Sequence, residues 1–578
     1  MFAHGRAIGL GMVAILLCVN AAGARETAVC VDEANLKLPQ GFCAGILVDR
    51  IGHARHIAVS SNNILYVNTW ADAYAGQDMP PQPGGVLVAI KINPASGKAE
   101  AMERFGETAE RGAKGGTGIA LFGGYLYAEQ YGKIVRYALT KGSLAPASLP
   151  ETVISDLPMD GSHRMRPFAI DARGQLYLDS PSSTNACKKN DRAGSLGTDP
   201  CTELETRAGI WRFDARKTGQ VFSAESRYAT GIRNAEGFGI DNGADRIFVT
   251  QHGRDALHTL WPSVIKEPDK EATLPSEELL LLKRNGDYGW PYCYYDPFLS
   301  KLVLAPEYGG DGVRRGRCTD KIGPVAVFPA HWAPNDMVLY QANLFPSRYR
   351  NGVFIAFHGS WNRAPYVQGG YNVVFQALDG AKAVGGCEIF ATGFTAGNGD
   401  PGKAQHRPTG LAIGPDGVLY VADDARGRIY RITYRPGDNP GGQILPCPSN
   451  TAPAGPLAVS LASENTQRTA IPSLLPSGVT AEDVALGKQI FDGASGAACA
   501  GCHGADATGS SVGPNLASGS WAWSDGSLAG IAGTIASGVR APKKYSAPML
   551  PMGGVNLSRK EINAVAAYVW TLSHGNGK

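Results

Sequence analysis

Five consecutive residues, Cys499-Ala500-Gly501-Cys502-His503, carry a chemistry that composition alone does not supply. Two thiols three positions apart add to the two vinyl groups of one haem, and the histidine directly after them reaches the iron from the same turn, the c-type attachment pattern. The chain holds 11 Cys and 11 His in 578 residues. For that composition the spacing is expected by chance roughly 0.004 times, so coincidence explains it poorly. A structural zinc site needs a second Cys/His pair, and none follows. A redox Cys-x-x-Cys pair opens a helix after a strand, which this context lacks.

The flanks resemble a class I cytochrome c domain over about the last 100 residues. AEDVALGKQIFDG, from Ala481, reads as an amphipathic helix, with Gly487 and Phe491 where such domains cross their first and last helices. GPNL, Gly513 to Leu516, is similar to the loop whose proline carbonyl fixes the tautomer of the axial histidine, here His503. SRKEINAVAAYVWTL, from Ser558, opens with a Ser-x-x-Glu capping box and forms the last helix. Between them lies MLPMGG, Met549 to Gly554, similar to the family's axial methionine loop. Counting back from the glycine pair gives Met549 the sixth-ligand position; a leucine stands directly after it, and Met552 is a rival thioether.

Haem c is attached outside the cytoplasm, and the N-terminus agrees. His4 and Arg6 precede an apolar run from Ala7 to Val19, and Ala22-Gly23-Ala24 ends in a small-x-small cleavage site, so residues 1–24 read as a signal peptide. The run is short for a bilayer span, and no other segment is apolar enough, which implies an exported, periplasmic protein without a membrane span. Apart from Cys18 and the haem pair, eight cysteines remain in an oxidising compartment. The most economical pairing joins sequence neighbours: Cys30 with Cys43, Cys187 with Cys201, Cys293 with Cys318, and Cys387 with Cys447.

The remaining elements are strands. Apolar residues, a Gly, Asp or Asn turn and an alternating strand recur in HIAVSSNNILYVNT at His56, GIALFGGYLYAEQ at Gly118, PFAIDARGQLYLDS at Pro167, GFGIDNGADRIFVTQ at Gly237, a diverged NGVFIAFHG at Asn351, and TGLAIGPDGVLYVADD at Thr409. Six hairpins predict an all-β six-bladed β-propeller over residues 25–446, with room for a diverged seventh between Thr250 and Asn351. Residues 447–478 read as a linker, and 479–578 as the all-α cytochrome c domain, giving a multidomain chain. The net charge of +3, with both signs interspersed, argues for neither a nucleic acid nor a membrane surface as partner.

GIRNAEG at Gly231, QHGRD at Gln251 and EELLLLKRNGDYGWP at Glu277 together resemble the pyrroloquinoline quinone-dependent sugar dehydrogenases, the soluble glucose, aldose sugar and sorbosone enzymes, over roughly Arg25 to Pro446. HGSWNR at His358 and HRPTGLAIGPDG at His406 are more similar to the sorbosone branch. The resemblance implies His163 as the catalytic base and Arg233, with Asn234 beside it, as quinone contacts. Asn362 and Arg363 fall near the family's cofactor-binding lysine, and Arg407 matches an arginine that pairs with a cofactor carboxylate. It further implies a calcium ion on the backbone carbonyls of Gly253 and Arg254, although His252 and Arg254 depart from the glucose branch. The expected activity is oxidation of an aldose, sorbosone or related sugar substrate, with electrons passing to the chain's own haem and then to a downstream acceptor. Two rivals remain: a calcium-dependent lactonase, whose Asp, Glu and Asn cluster on a central ion is not found, and a non-catalytic propeller that docks a partner to the cytochrome.

Overall fold

The computed structural model describes residue 1 and residues 32–574, except 72–81, 189–191, 364–366, 400–403, 438–441, 449–474 and, in the C-terminal part, 493–496, 498, 505, 510–512, 540–541, 543–544, 546–548 and 555–556. The expected signal peptide, Cys30 and most of the expected linker lie outside the described residues.

Six mainly antiparallel sheets follow one another along the chain, each starting with its innermost strand: His53–Val59, Ile119–Phe122, Phe168–Ile170, Phe238–Asp241, Pro334–Tyr340 and Pro408–Ile413. Each innermost strand touches the next, and the sixth touches the first, so the sheets close a ring of six blades. The ring is closed by strand pairing between the two ends of the chain. Blade six takes its inner three strands from the C-terminal end, up to Arg428–Tyr434, and its outermost, Phe42–Val48, from the N-terminal end. Pairing across the ring's seam ties the N-terminal and C-terminal ends of the propeller into one blade. Neighbouring blades pack face to face: Leu65, Val67, Val88 and Ile90 of blade one meet Val418, Tyr420, Ala422 and Ile429 of blade six in one apolar layer. Strands buried on both faces, such as Ile64–Trp70 and Leu419–Asp423, explain why the hairpin repeats read so plainly.

There is no seventh blade among the described residues. The interval after Thr250 holds the last two strands of blade four, Glu277–Leu281 and Ala326–Phe328, and between them a separate hairpin, Cys293–Asp296 with Lys301–Leu304, stapled by the Cys293–Cys318 disulfide. The diverged copy at Asn351 is the second strand of blade five, not its first. The first strand, PNDMVLY, begins with Pro, Asn and Asp and so hides its strand character.

Three of the expected disulfides form, Cys187–Cys201, Cys293–Cys318 and Cys387–Cys447, and Cys43 is disulfide-bonded as well. The last of the three moves a boundary. Leu445–Pro446 adds to the outer edge of blade five, and Cys447 is tied to Cys387, so the propeller extends past residue 446.

The C-terminal part is helical. Ala481–Phe491 begins with a reciprocal capping box between Thr480 and Asp483, and Arg559–His574 with the expected Ser558–Glu561 pair. The two helices cross where Gly487 lacks a side chain: a Cβ there would stand 1.9 Å from the Ala564 carbonyl. Phe491 meets Tyr568 edge-on at 5.4 Å beside that crossing. Among the described residues no helix is long and apolar enough to cross a membrane.

Candidate active site and haem cleft

In the C-terminal domain the short helix Cys499–His503 carries both thiols and the histidine on one turn. Neither cysteine is in a disulfide. His503 is buried, and its Nδ1 lies 3.0 Å from the Pro514 carbonyl. A carbonyl only accepts, so Nδ1 carries the proton and Nε2 presents its lone pair to the cleft. The cleft is walled by Phe491, Leu516, Trp521, Ile531, Ile535, Val565 and Val569, and Met549 lines it together with Cys499, Cys502 and His503. Met549 is fixed by backbone hydrogen bonds to Val539 in both directions, whereas Met552 sits in a left-handed turn at φ 55° and is not among the residues lining the cleft. An apolar slot with two thiols and a histidine lone pair fits a covalently bound haem.

The propeller face that bears the second site is built by two loops that clamp each other. Gly231, at φ +76°, has Gly289 N and Asp287 Oδ1 within 2.6 Å of where a Cβ would stand, so no other residue fits. Across this contact Thr230 pairs with Asp287 in parallel register, and Trp290 N donates to the Gly231 carbonyl. GIRNAEG and GDYGWP are thus one structural unit, and its product is the position of Arg233. Trp290 Nε1 donates to the Asn185 carbonyl, which also accepts from Arg233 Nε. The buried guanidinium further donates to Asn185 Oδ1 (3.1 Å), Gly253 O (3.0 Å) and Asp255 Oδ2 (3.0 Å). Burial lowers its pKa and Asp255 opposes that pull.

The charge of the same guanidinium is felt at His163. Its Nδ1 donates to the Ser182 carbonyl at 2.7 Å, which leaves Nε2 as a lone-pair acceptor. Burial first, then Arg233, hold its pKa well below the ordinary histidine value, so the ring is neutral. His252, held on the Pro334 carbonyl, is pulled down to about 3 by burial and then Arg233. Beneath Arg233, Glu277 accepts from Gly253 N and Ala333 N, and burial raises it to about 7.

Asn362 joins this cluster by donating to Asp255 Oδ1 at 2.7 Å. Asn234 leads away from it along a buried chain: Asn234 to Glu236, Glu236 to Arg55, Arg55 to Asp424, and Asp424 to His358. Burial works against ionisation of Asp424, but His358 and Arg55 hold it well below the carboxylate range. Arg407 closes that end, donating to the His358 and Gly359 carbonyls. Arg363 stands apart, with Nη1 on the Ala272 and Ala330 carbonyls, where it ties loops together.

The residues present do not fit calcium at Gly253 and Arg254. The Gly253 carbonyl already accepts from a guanidinium, which puts a positive charge where the ion would stand. The Arg254 side chain is buried in an ion pair with Glu307 at 2.6 Å. Among the described residues no three His, Cys, Asp or Glu side chains gather to hold a metal ion. An anionic quinone fits better: Arg233 and Arg407 are buried cations, and Asn234 Oδ1 is buried without a hydrogen-bond partner, a polar atom that a bound ligand would satisfy.

Comparison with known proteins agrees with both halves. The family model described as TrAA12-like matches residues 36–435, more than half of the chain. The chain belongs to the TrAA12-like family. A second model, cytochrome c, matches residues 484–573 and supports haem c as the cofactor of the C-terminal domain. Among solved structures, a family AA12 protein from Trichoderma reesei is 19% identical, with a TM-score of 0.55, over 70% of this chain and 100% of that one. The quinone domain of a pyranose dehydrogenase from Coprinopsis cinerea is 18% identical, with a TM-score of 0.55, over 70% of this chain and 98% of that one. At these identities the likeness is one of fold. An uncharacterized protein of Borreliella burgdorferi is 28% identical over 211 residues, 36% of this chain and about half, 49%, of its own length.

Of the site residues expected from sequence, the TrAA12-like propeller brings His163, Arg233, Asn234, Gly253 and Asn362 together, sets Arg407 at the far end of a connected chain, and leaves Arg363 and Arg254 in supporting roles. Asn185, Asp255 and Glu277 were not singled out. Asp255 and Glu277 lie within the quoted QHGRD and EELLLLKRNGDYGWP segments, but Asn185 sits in a loop with no motif of its own.

Proposed function

We propose that this protein is an exported, periplasmic dehydrogenase that oxidises a sugar hydroxyl or aldehyde, with an aldose or sorbosone as the substrate class, and passes the electrons to its own haem c and onward to a downstream acceptor. The reading is supported above all by His163, a neutral histidine whose Nδ1–H is held on the Ser182 carbonyl and whose Nε2 is left as an acceptor. Pyrroloquinoline quinone, when bound, supplies a carbonyl that accepts hydride. Everything else falls to the chain's own side chains. His163 Nε2 takes the hydroxyl proton as the C–H bond gives up its hydride. The proton added to Nε2 is tolerated because Nδ1–H stays on the Ser182 carbonyl and the ring does not turn. Arg233 and Asn234 would hold the quinone, Arg233 placed by Asn185 and Asp255, and Arg407 would pair with a carboxylate at the other end. Asn362 sets the Asp255 carboxylate against Arg233.

In the cytochrome half, Cys499 and Cys502 would carry the haem, His503 Nε2 would bind the iron, and Met549 would be the sixth ligand. The test is reconstitution. Apoprotein supplied with pyrroloquinoline quinone should reduce an artificial dye with a panel of aldoses and sorbosone, and should do so equally in the presence of a calcium chelator. Quinone-independent hydrolysis of lactones, or no dye reduction with any sugar, would end this reading.

A further inference from the structure

The haem cleft is not closed by the cytochrome domain alone. Its remaining wall comes from the propeller, from Asp255, Ala256, Thr259, Glu271, Trp361 and Asn362. Contact is made at the attachment turn itself: a Cβ on Gly501 would lie 3.5 Å from the Trp361 carbonyl. Gly501 has ordinary helical backbone and is buried, so a small side chain would just fit and a large one would meet Trp361. Asp255 lines the cleft together with Cys502. The same carboxylate accepts from Arg233 on one oxygen and from Asn362 on the other.

We infer that the propeller face formed by Asp255, Trp361 and Asn362 is the seat on which the chain's own cytochrome docks, with the thioether edge of the haem against the side chains that hold Arg233. This rests on the electron route given under Proposed function and names its path. The quinone site and the haem then share one wall, and Arg233–Asp255–Asn362 forms a continuous hydrogen-bonded bridge between them. The electrons balance. Oxidising one hydroxyl leaves two electrons and two protons; the protons go to solvent, and each electron turns ferric haem ferrous. A downstream one-electron acceptor returns the haem to ferric between the two transfers.

The seat is tested on the full chain with Gly501→Leu, Gly501→Ala and Trp361→Ala, after a haem-stained denaturing gel confirms attachment. Two rates are read: first-order haem reduction after mixing quinone-loaded protein with sugar, and second-order haem reduction by ascorbate with neither quinone nor sugar. Gly501→Leu should slow the first several-fold, because electron transfer weakens steeply as the haem edge is pushed away from the propeller. It should also speed the second, because the uncovered edge is open to solvent, while dye-linked turnover holds. Gly501→Ala should leave both rates as they are. If Gly501→Leu loses haem, Trp361→Ala carries the same expectation for ascorbate. Ascorbate rates identical in wild type, Gly501→Leu and Trp361→Ala would overturn the seat. If sugar fails to reduce the haem even in wild type, the electron reading falls, and the ascorbate rates still decide the docking.

Discussion

In the proposed mechanism a histidine can act as the base because a single carbonyl fixes its tautomer. The Ser182 carbonyl holds the proton on His163 Nδ1, and burial beside Arg233 keeps Nε2 free of one. The pH dependence follows with its sign. A base must be deprotonated to act, so activity falls as pH drops through its pKa. That pKa lies well below 6.5, so the acid limb of kcat/KM should fall below pH 6.5. Glu277 is the competing group. As a carboxylate raised to about 7, it would place the limb near neutrality. His163→Ala should cut dye-linked turnover by about 10² to 10⁴-fold and leave quinone binding nearly intact. A limb near pH 7 that survives His163→Ala would transfer the role to Glu277. The His163 assignment came from resemblance, because a loop histidine carries no spacing signature; only the Ser182 contact supplies its physical reason.

At the scale of elements, what was legible depended on whether a segment's pattern was local. Hairpins buried on both faces, the capping boxes and the Cys499–His503 turn declare themselves within a few residues. The first strand of blade five did not, since its opening Pro-Asn-Asp reads as a turn. Nor did the Asn185 loop, whose value comes from Trp290 and Arg233, 105 and 48 residues away. The guanidinium on the Gly253 carbonyl was hidden for the same reason: contacts to backbone carbonyls leave no trace in sequence. The methionine loop sits between these cases. MLPMGG offers two thioethers, and the strand-like pairing of Met549 with Val539 orients one of them into the cleft. Met549→Ala should therefore abolish the sulfur-to-iron charge-transfer band of the oxidised protein and lower its reduction potential, since a thioether ligand raises it. Met552→Ala should leave the band in place. The reverse outcome would make Met552 the ligand.

At the scale of the whole molecule, the disulfide between Cys387 and Cys447 decides where the two bodies can be separated. A chain ending at Pro446 would leave Cys387 without its disulfide partner; one ending at Pro448 keeps the bond. Supplied with quinone, the propeller ending at Pro448 should still reduce small dyes with sugar, because the base and the guanidinium belong to it alone. It should reduce a one-electron protein acceptor far more slowly than the full chain. The reason is concentration. Tethering places the haem at an effective concentration on the order of mM over the quinone site, far above any separate cytochrome in an assay. Substrate mixed with the intact oxidised protein should thus reduce haem at a rate that does not change as the protein is diluted. A rate that falls in proportion to dilution would mean that each haem takes its electrons from another molecule's propeller, and the fusion would then serve encounter between chains instead of transfer within one.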